Sequence, residues 1–144
     1  MATVLDVAAY ILTRAGSMTA MKLQKLVYYT QAWSLVWDDR PLFPDRIEAW
    51  ANGPVSPALY RWHQGRFSVG PDPLPGNSAA IDEIGRETVD AVLKFYGDKK
   101  AQWLSDLSHS EAPWIEARHG LASGERGNSE ITHAAMVEYY SSLT

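Results

Sequence analysis

Along the first fifteen residues the apolar positions Val4, Val7, Ala8, Ile11, Leu12 and Ala15 recur at the spacing of one helix face. Thr3 stands where an N-cap is needed and Gly16 where such a helix stops, so the pattern predicts a helix to about Arg14. The next segment differs in kind. Thr19 caps a run to about Trp37 in which Met21, Leu23, Leu26, Tyr28, Tyr29, Ala32, Trp33, Leu35, Val36 and Trp37 cover most of the circumference. Only Gln24, Gln31, Ser34 and Asp38 share a narrow polar strip. A helix so apolar belongs at the centre of a domain, with neighbours on several sides.

Beyond Asp38-Asp39-Arg40-Pro41, which ends that helix, the period shortens. Ile47, Ala49 and Ala51 share one face of an expected short strand, and Asn52-Gly53-Pro54 turns the chain. Ser56 then caps a helix with Pro57 at its first position, reaching about Gln64 and stopping at Gly65. Residues 66–77 carry three Pro and two Gly and read as a loop, with a short strand through Phe67 and Val69 as an option. Ile81, Ile84, Thr88, Val89, Val92, Leu93 and Tyr96 mark an amphipathic helix closed by Gly97. Another helix spans about Lys99 to Ser108, a short one follows Pro113, and Gly120 to Asn128 is a Gly-rich, mobile loop. Ser129 is expected to cap a last helix through Tyr140. There the Tyr139-Tyr140 pair cannot both face inward, which leaves one exposed or used in a contact. The expected fold is mainly α, a compact single-domain helical bundle over residues 1–144 around one central apolar helix, with a small β element near 47–51.

Composition narrows the classes of function. The chain has 144 residues, 46% of them apolar, with six Trp and seven Tyr, enough to bury a sizeable core and to supply interface anchors. The net charge of -4 and the lack of any Lys/Arg run beyond two argue against a nucleic-acid partner. Cysteine is absent, which excludes disulfides and suits a reducing cytoplasm. The N-terminus has no basic segment ahead of an apolar one, so it does not read as a signal peptide, and no membrane span is expected.

Candidate chemistry is sparse. Lys22 and Lys25 lie on the aromatic side of the central helix, in its first turns, where the macrodipole disfavours cations. Either their stems cover apolar surface while the amines reach water, or they pair with a carboxylate such as Glu48 or with a partner's acid. The segment Trp50 to Pro57 reads as scaffold, since Gly53 supplies a permissive dihedral, or as a rigid interface turn carrying Trp50 and Val55. His63, His109, His119 and His133 have no HxxxH or HExxH spacing, and no GxSxG or phosphate-loop motif is present, so no metal, cofactor or catalytic residue is expected. Ala112-Pro113-Trp114 reads as a helix break pinned by a buried Trp.

Two blocks of sequence carry a resemblance. They are Lys22-Leu23-Gln24-Lys25-Leu26-Val27-Tyr28-Tyr29 and Gly53-Pro54-Val55, with Pro41-Leu42-Phe43 and Glu48-Ala49-Trp50 between them and Leu107-Ser108-His109 and Pro113-Trp114 after. In this order they resemble the Panacea-domain family of bacterial and phage antitoxins, which includes SocA-type proteolytic adaptors. The resemblance implies a mostly helical domain with a small β element that is not an enzyme and that binds a cognate protein toxin directly, in some members delivering it to the ClpXP protease. It also implies little room here for the terminal extensions that family variants add, and it is compatible with a homo-oligomer. The partner-binding candidates are Lys22, Lys25, Trp50, Asn52, Val55 and Tyr60. The alternative is a small-molecule-binding protein or enzyme that uses the Lys22/Lys25 region.

Overall fold

The computed structural model describes residues 1–72 and 75–144; Pro73 and Leu74, inside the loop expected over 66–77, lie outside the described residues. In chain order the elements are α1 (Val4–Ala15), β1 (Met18–Thr19), α2 (Ala20–Trp37), β2 (Ile47–Trp50), β3 (Gly53–Val55) and α3 (Pro57–His63). Then come β4 (Ser68–Val69), a 3-10 turn (Ser78–Ala80), α4 (Glu83–Tyr96), α5 (Ala101–His109), α6 (Ala112–Ala117), β5 (Glu130–Ile131) and α7 (His133–Ser141). The protein is mainly helical with a small β component, as the hydrophobic pattern predicts.

Local chemistry fixes the helix starts. Thr3 and Asp6 form a reciprocal cap on α1, the Asp6 N–H donating to Thr3 Oγ1 at 3.4 Å and the Thr3 N–H to Asp6 Oδ2 at 2.8 Å. Thr19 accepts from the Lys22 N–H on α2, and Ser56 accepts from the Leu59 N–H on α3. Asp82 caps α4 at the Gly85 N–H and takes both Arg40 guanidinium nitrogens, at 2.7 and 2.9 Å. Those hydrogen bonds, the Arg40 contact first, hold its carboxyl down at about 2.

α2 is the axis. Fourteen of its residues are buried, and α1, α4, α5, α7 and β3 all pack on it. Gln24, Gln31 and Ser34 of its polar strip are buried too, because they serve the backbone of neighbouring segments, while Asp38 at its end is half-buried. The Gln31 amide donates to the Phe43 carbonyl at 2.8 Å, and its oxygen accepts from the Leu42 N–H at 2.7 Å and the Phe43 N–H at 3.3 Å. Ser34 donates to the Arg40 carbonyl. Side-chain amides of this kind can satisfy an irregular segment with no strand partner, which is how the 38–46 connection stays close to the core.

The aromatic side of α2 closes over one acid. Glu111, 4% exposed at the start of α6, accepts from the Tyr29 hydroxyl at 2.7 Å and the Tyr140 hydroxyl at 2.8 Å. With the Tyr140 proton committed there, the Tyr28 hydroxyl is the one that donates across the 3.0 Å Tyr28–Tyr140 contact. Burial pushes the Glu111 carboxyl up, and the two tyrosine hydrogen bonds oppose that shift. Tyr140 is fully buried and Tyr139 half-buried, so the terminal pair divides as helix geometry requires.

The β structure exceeds the strand expected near 47–51 and the optional one through Phe67 and Val69, which is present as β4. Strand order is β3-β2-β5 in one antiparallel sheet, with Trp50 opposite Gly53 and Glu48 opposite both Val55 and Glu130, and β1 pairs with β4 in a second. Pro54 is tolerated because β3 is an edge strand. The last helix is capped by Thr132, not Ser129. The Ser129 carbonyl instead accepts from the Ala49 N–H at 2.8 Å, and the two residues after it pair with β2, so a tertiary strand claims the segment before a helix can start. No helix among the described residues is long and apolar enough to cross a membrane.

Candidate functional site

The two sequence blocks that stand 24 residues apart meet in space. The Gln24 amide donates to the Ser56 carbonyl at 3.2 Å while its oxygen accepts from the Ser56 N–H at 2.9 Å, a two-point grip on the residue that follows β3. The same amide lies 3.0 Å from His63 Nε2 at the end of α3. Burial lowers the His63 pKa, so the ring is neutral and Nε2 accepts from the amide. Removing this clamp with Gln24→Ala is expected to cost about 1–3 kcal/mol, because the buried Ser56 N–H loses its acceptor while the Ser56 carbonyl keeps only the Tyr60 N–H; urea denaturation measures it.

Lys25 lies directly beneath the turn between β2 and β3. It is 1% exposed, and a Cβ placed on Gly53 would meet its Cε at 2.8 Å and its Nζ at 3.1 Å. Gly53 also has φ of 118°, a backbone region that side chains disfavour, so glycine is required there twice over. Ser108 Oγ approaches the same empty side-chain position at 3.4 Å. Burial alone draws the Lys25 pKa down from 10.5 to about 8. Lys22 is separate from this arrangement: its amine donates to the Gly97 carbonyl at 2.6 Å and so ties α2 to the end of α4. Neither amine pairs with Glu48, whose carboxylate accepts from Trp50 Nε1 at 2.8 Å and meets Arg46 Nε at 2.9 Å. The Lys–Glu48 pairing, one of the two options in the sequence, is therefore replaced by a local pair, because Glu48 sits beside Arg46 and Trp50 on one face of the strand. The other option, an amine reaching water, does not describe Lys25, which is 1% exposed.

Two clefts flank the turn, and Ala51 belongs to both. One, about 690 Å³, is lined by Trp50, Ala51, Asn52, Tyr60, Arg126, Gly127 and Asn128. Trp50 and Tyr60 meet edge to face in it with ring centroids 5.0 Å apart, and Asn52 and Arg126 are exposed on its rim. The other, about 480 Å³, lies against α6 and is lined by Ala51, His109, Trp114, Ile115, Arg118, Gly120, Leu121 and Ser123. Trp114 supports the turn by donating from Nε1 to the Trp50 carbonyl at 2.8 Å. Of the six partner-binding candidates, the fold thus gathers Trp50, Asn52 and Tyr60 at one cleft. Val55, 7% exposed, and Lys25 lie behind them in the interior, and Lys22 lies elsewhere.

Arg118 and Arg126 are site residues that the sequence pattern does not single out, and His109, which it names only as part of a block and as lacking a metal-ligand spacing, lines the second cleft. Arg118 is buried at 3% exposure and lies 5.3 Å over the Trp114 ring. It donates to the carbonyls of Ala49, Ala122 and Glu125, which ties β2 to the 120–128 segment read from its glycines as a mobile loop. A single arginine at the end of a short helix carries no local signal of this role, since its three acceptors are backbone groups that any sequence would supply. Among the described residues no group of three or more His, Asp or Glu side chains gathers where a metal ion could be held.

Comparison of the sequence with known proteins places the chain in a family. Residues 23–115 match the family described as Antitoxin SocA-like, Panacea domain, a span that includes α2 from Leu23 onward, the β2–β3 turn and Trp114. The chain is 31% identical over 130 residues to Antitoxin SocA of Caulobacter vibrioides, covering 79% of this chain and 69% of that protein. It is also 24% identical over 132 residues to the Versican core protein of Bos taurus, covering 89% of this chain but only 4% of that much longer protein. No solved structure matches. With most of its length matched, the turn and the residues that hold it included, the chain belongs to the SocA-like antitoxin family that carries the Panacea domain.

Proposed function

We propose that this chain acts as an antitoxin by binding a protein toxin directly, with the β2–β3 turn and the Trp50/Tyr60 cleft as its contact face. The family supplies the antitoxin role; the observation that favours direct binding is the cleft itself. Two half-buried aromatic rings stand edge to face on a turn whose backbone is gripped from beneath by Gln24 and filled from beneath by Lys25. A turn held so firmly has little conformational freedom left to lose on binding, and half-buried Trp and Tyr are the residue types that most often anchor interfaces. The alternative of an enzyme or small-molecule site at Lys22 and Lys25 would be favoured by a pocket holding the two amines beside Glu48, and the three lie apart: Lys22 donates to the Gly97 carbonyl, Glu48 accepts from Trp50, and Lys25 sits beneath Gly53.

The test is co-expression with the product of the adjacent gene, scoring growth rescue and co-purification together. Rescue with a stable complex is expected, and Trp50→Ala or Tyr60→Ala should weaken that complex roughly ten- to a hundredfold while the free protein melts normally. Rescue accompanied by ClpXP-dependent loss of the partner would add delivery to the protease as a second step. Rescue with no complex would remove direct occlusion as the mechanism.

A further inference from the structure

The α6 side of the turn contains polar groups that the protein itself leaves without partners. His109 Nε2 is a buried side-chain atom with no hydrogen bond among the described residues, although its ring lines the 480 Å³ cleft and packs against Trp114 at 4.3 Å. Lys25 is buried at 1% exposure, and its amine likewise makes no hydrogen bond or ion pair among the described residues. It stands behind the cleft, beside Gly53, close enough for its charge to be felt at His109. Arg118, on the cleft wall, spends its donors on three carbonyls and has no carboxylate opposite it among the described residues.

The acids in this neighbourhood do not answer these groups. Asp106 reaches His109 only through its charge, and its carboxylate accepts from the Gln102 amide at 2.8 Å on the exposed side of α5. The Glu125 side chain caps the Ala122 N–H and does not line the cleft. Arg118 and the orphaned His109 nitrogen line one opening that no acid lines, and Lys25 lies buried behind it. Arg118 is answered by its three carbonyls, whereas burying the Lys25 charge carries a desolvation cost that no acid among the described residues offsets. A buried polar atom left unpaired in a native fold calls for a partner.

We propose that this cleft receives a carboxylate from the bound protein, an Asp or Glu side chain or a chain terminus, with His109 Nε2 as its hydrogen-bond partner and Lys25 and Arg118 as its countercharge. The inference rests on the direct-binding reading above. The cleft walls supply Trp114, Ile115 and Leu121, which suit the apolar stem that carries a carboxylate on a polypeptide. A phosphate would bring three strong acceptor oxygens to a single unpartnered ring nitrogen. Burial first, and then the charges of Lys25 and Arg118, hold the His109 pKa down in the free protein, so an incoming negative charge is what favours the protonated ring that donates from Nε2.

The experiment measures the affinity of the adjacent-gene product for wild type, Lys25→Met and His109→Phe, with the melting temperature of each free protein. Lys25→Met is expected to melt higher than wild type yet bind at least tenfold more weakly, and His109→Phe to bind at least tenfold more weakly with little change in melting. A purely structural lysine would move both quantities in the same direction. In the complex, the 15N-labelled His109 ring should give an imidazolium spectrum that the free protein lacks at the same pH. Wild-type affinity in both variants would overturn the carboxylate site while leaving direct binding intact. Failure of wild type to bind would remove the direct-binding reading, and the site with it. A second arm titrates the labelled ring with sodium acetate and with sodium phosphate: response to acetate first supports the carboxylate, and response to phosphate at lower concentration overturns it in favour of a phosphate-bearing ligand.

Discussion

Replacing Trp33 with alanine is expected to destabilise the protein by roughly 3–5 kcal/mol, the cost of emptying a core position of that size. Trp33 is 8% exposed in the middle of α2 and stacks on Trp37 with ring centroids 4.9 Å apart. It also leans on Tyr140 at 5.6 Å and donates from Nε1 to the Tyr96 hydroxyl at 3.0 Å. The substitution therefore removes more than volume. It leaves the buried Tyr96 hydroxyl without its donor and opens the packing around the ring that holds Glu111. For a chain of this length the loss should lower the melting temperature by about 10 °C or more, read by circular dichroism. An unchanged melting temperature would mean that α2 is not the axis of the core.

Lys25→Met is expected to act in the opposite direction. Methionine keeps the linear stem and its contacts beneath Gly53 while deleting a charge that burial disfavours. The drop from 10.5 to about 8 corresponds to roughly 3 kcal/mol of strain against the charged form, so the variant should be more stable than wild type at neutral pH by an amount of that order. The pH dependence follows in sign. Below about pH 8 the lysine is charged in both folded and unfolded chains, and the whole penalty is present. Between about 8 and 10.5 the folded chain releases the proton while the unfolded chain keeps it, so wild-type stability rises with pH and the gap between the two proteins closes. Buried Tyr28, Tyr29 and Tyr140, all with pKa raised by burial, work against folding above about pH 10, so the comparison is cleanest from about pH 7 to 10. Urea titrations of both proteins across that range measure the gap. A gap that stays constant with pH would show that Lys25 is not desolvated in the folded state.

A destabilising lysine that lies beneath the proposed contact face is also informative about what the motif does. The residues Lys22-Leu23-Gln24-Lys25 read from the sequence as a helix start with two awkwardly placed cations. In the fold each polar member makes a different contact. Lys22 holds Gly97, Gln24 grips Ser56 and Lys25 fills the space under Gly53. The motif is a chassis for the turn, and its spacing to Gly53-Pro54-Val55 reflects direct contact between the two blocks.

Much of the helical architecture was legible because it is written in local chemistry. Thr3, Thr19 and Ser56 cap the helices that the hydrophobic pattern predicts, and the all-round apolar character of α2 correctly places it at the centre. What escaped the pattern depends on partners distant in the chain. β1 and β5 have two residues each, too few for any periodicity, and exist because Met18 meets Val69 and Ile47 meets Ile131, whereas β4 at Ser68–Val69 falls where the pattern offers a short strand as an option. Ser129 has a good capping side chain, yet its segment is taken by the sheet. Within the site, Trp50, Asn52 and Tyr60 were legible as a turn and the helix after it. Arg118 and the orphaned His109 nitrogen were not, because burial and the lack of a partner are properties of the packed chain.

The central claim is that the β2–β3 turn and its flanking clefts form the face that meets the toxin. Amide hydrogen exchange on this chain, free and mixed with the adjacent-gene product, tests it most directly. Added protection over residues 50–62 and 109–128 is the predicted footprint. Protection confined to the exposed Trp37 and Phe95, with the turn unchanged, would contradict it.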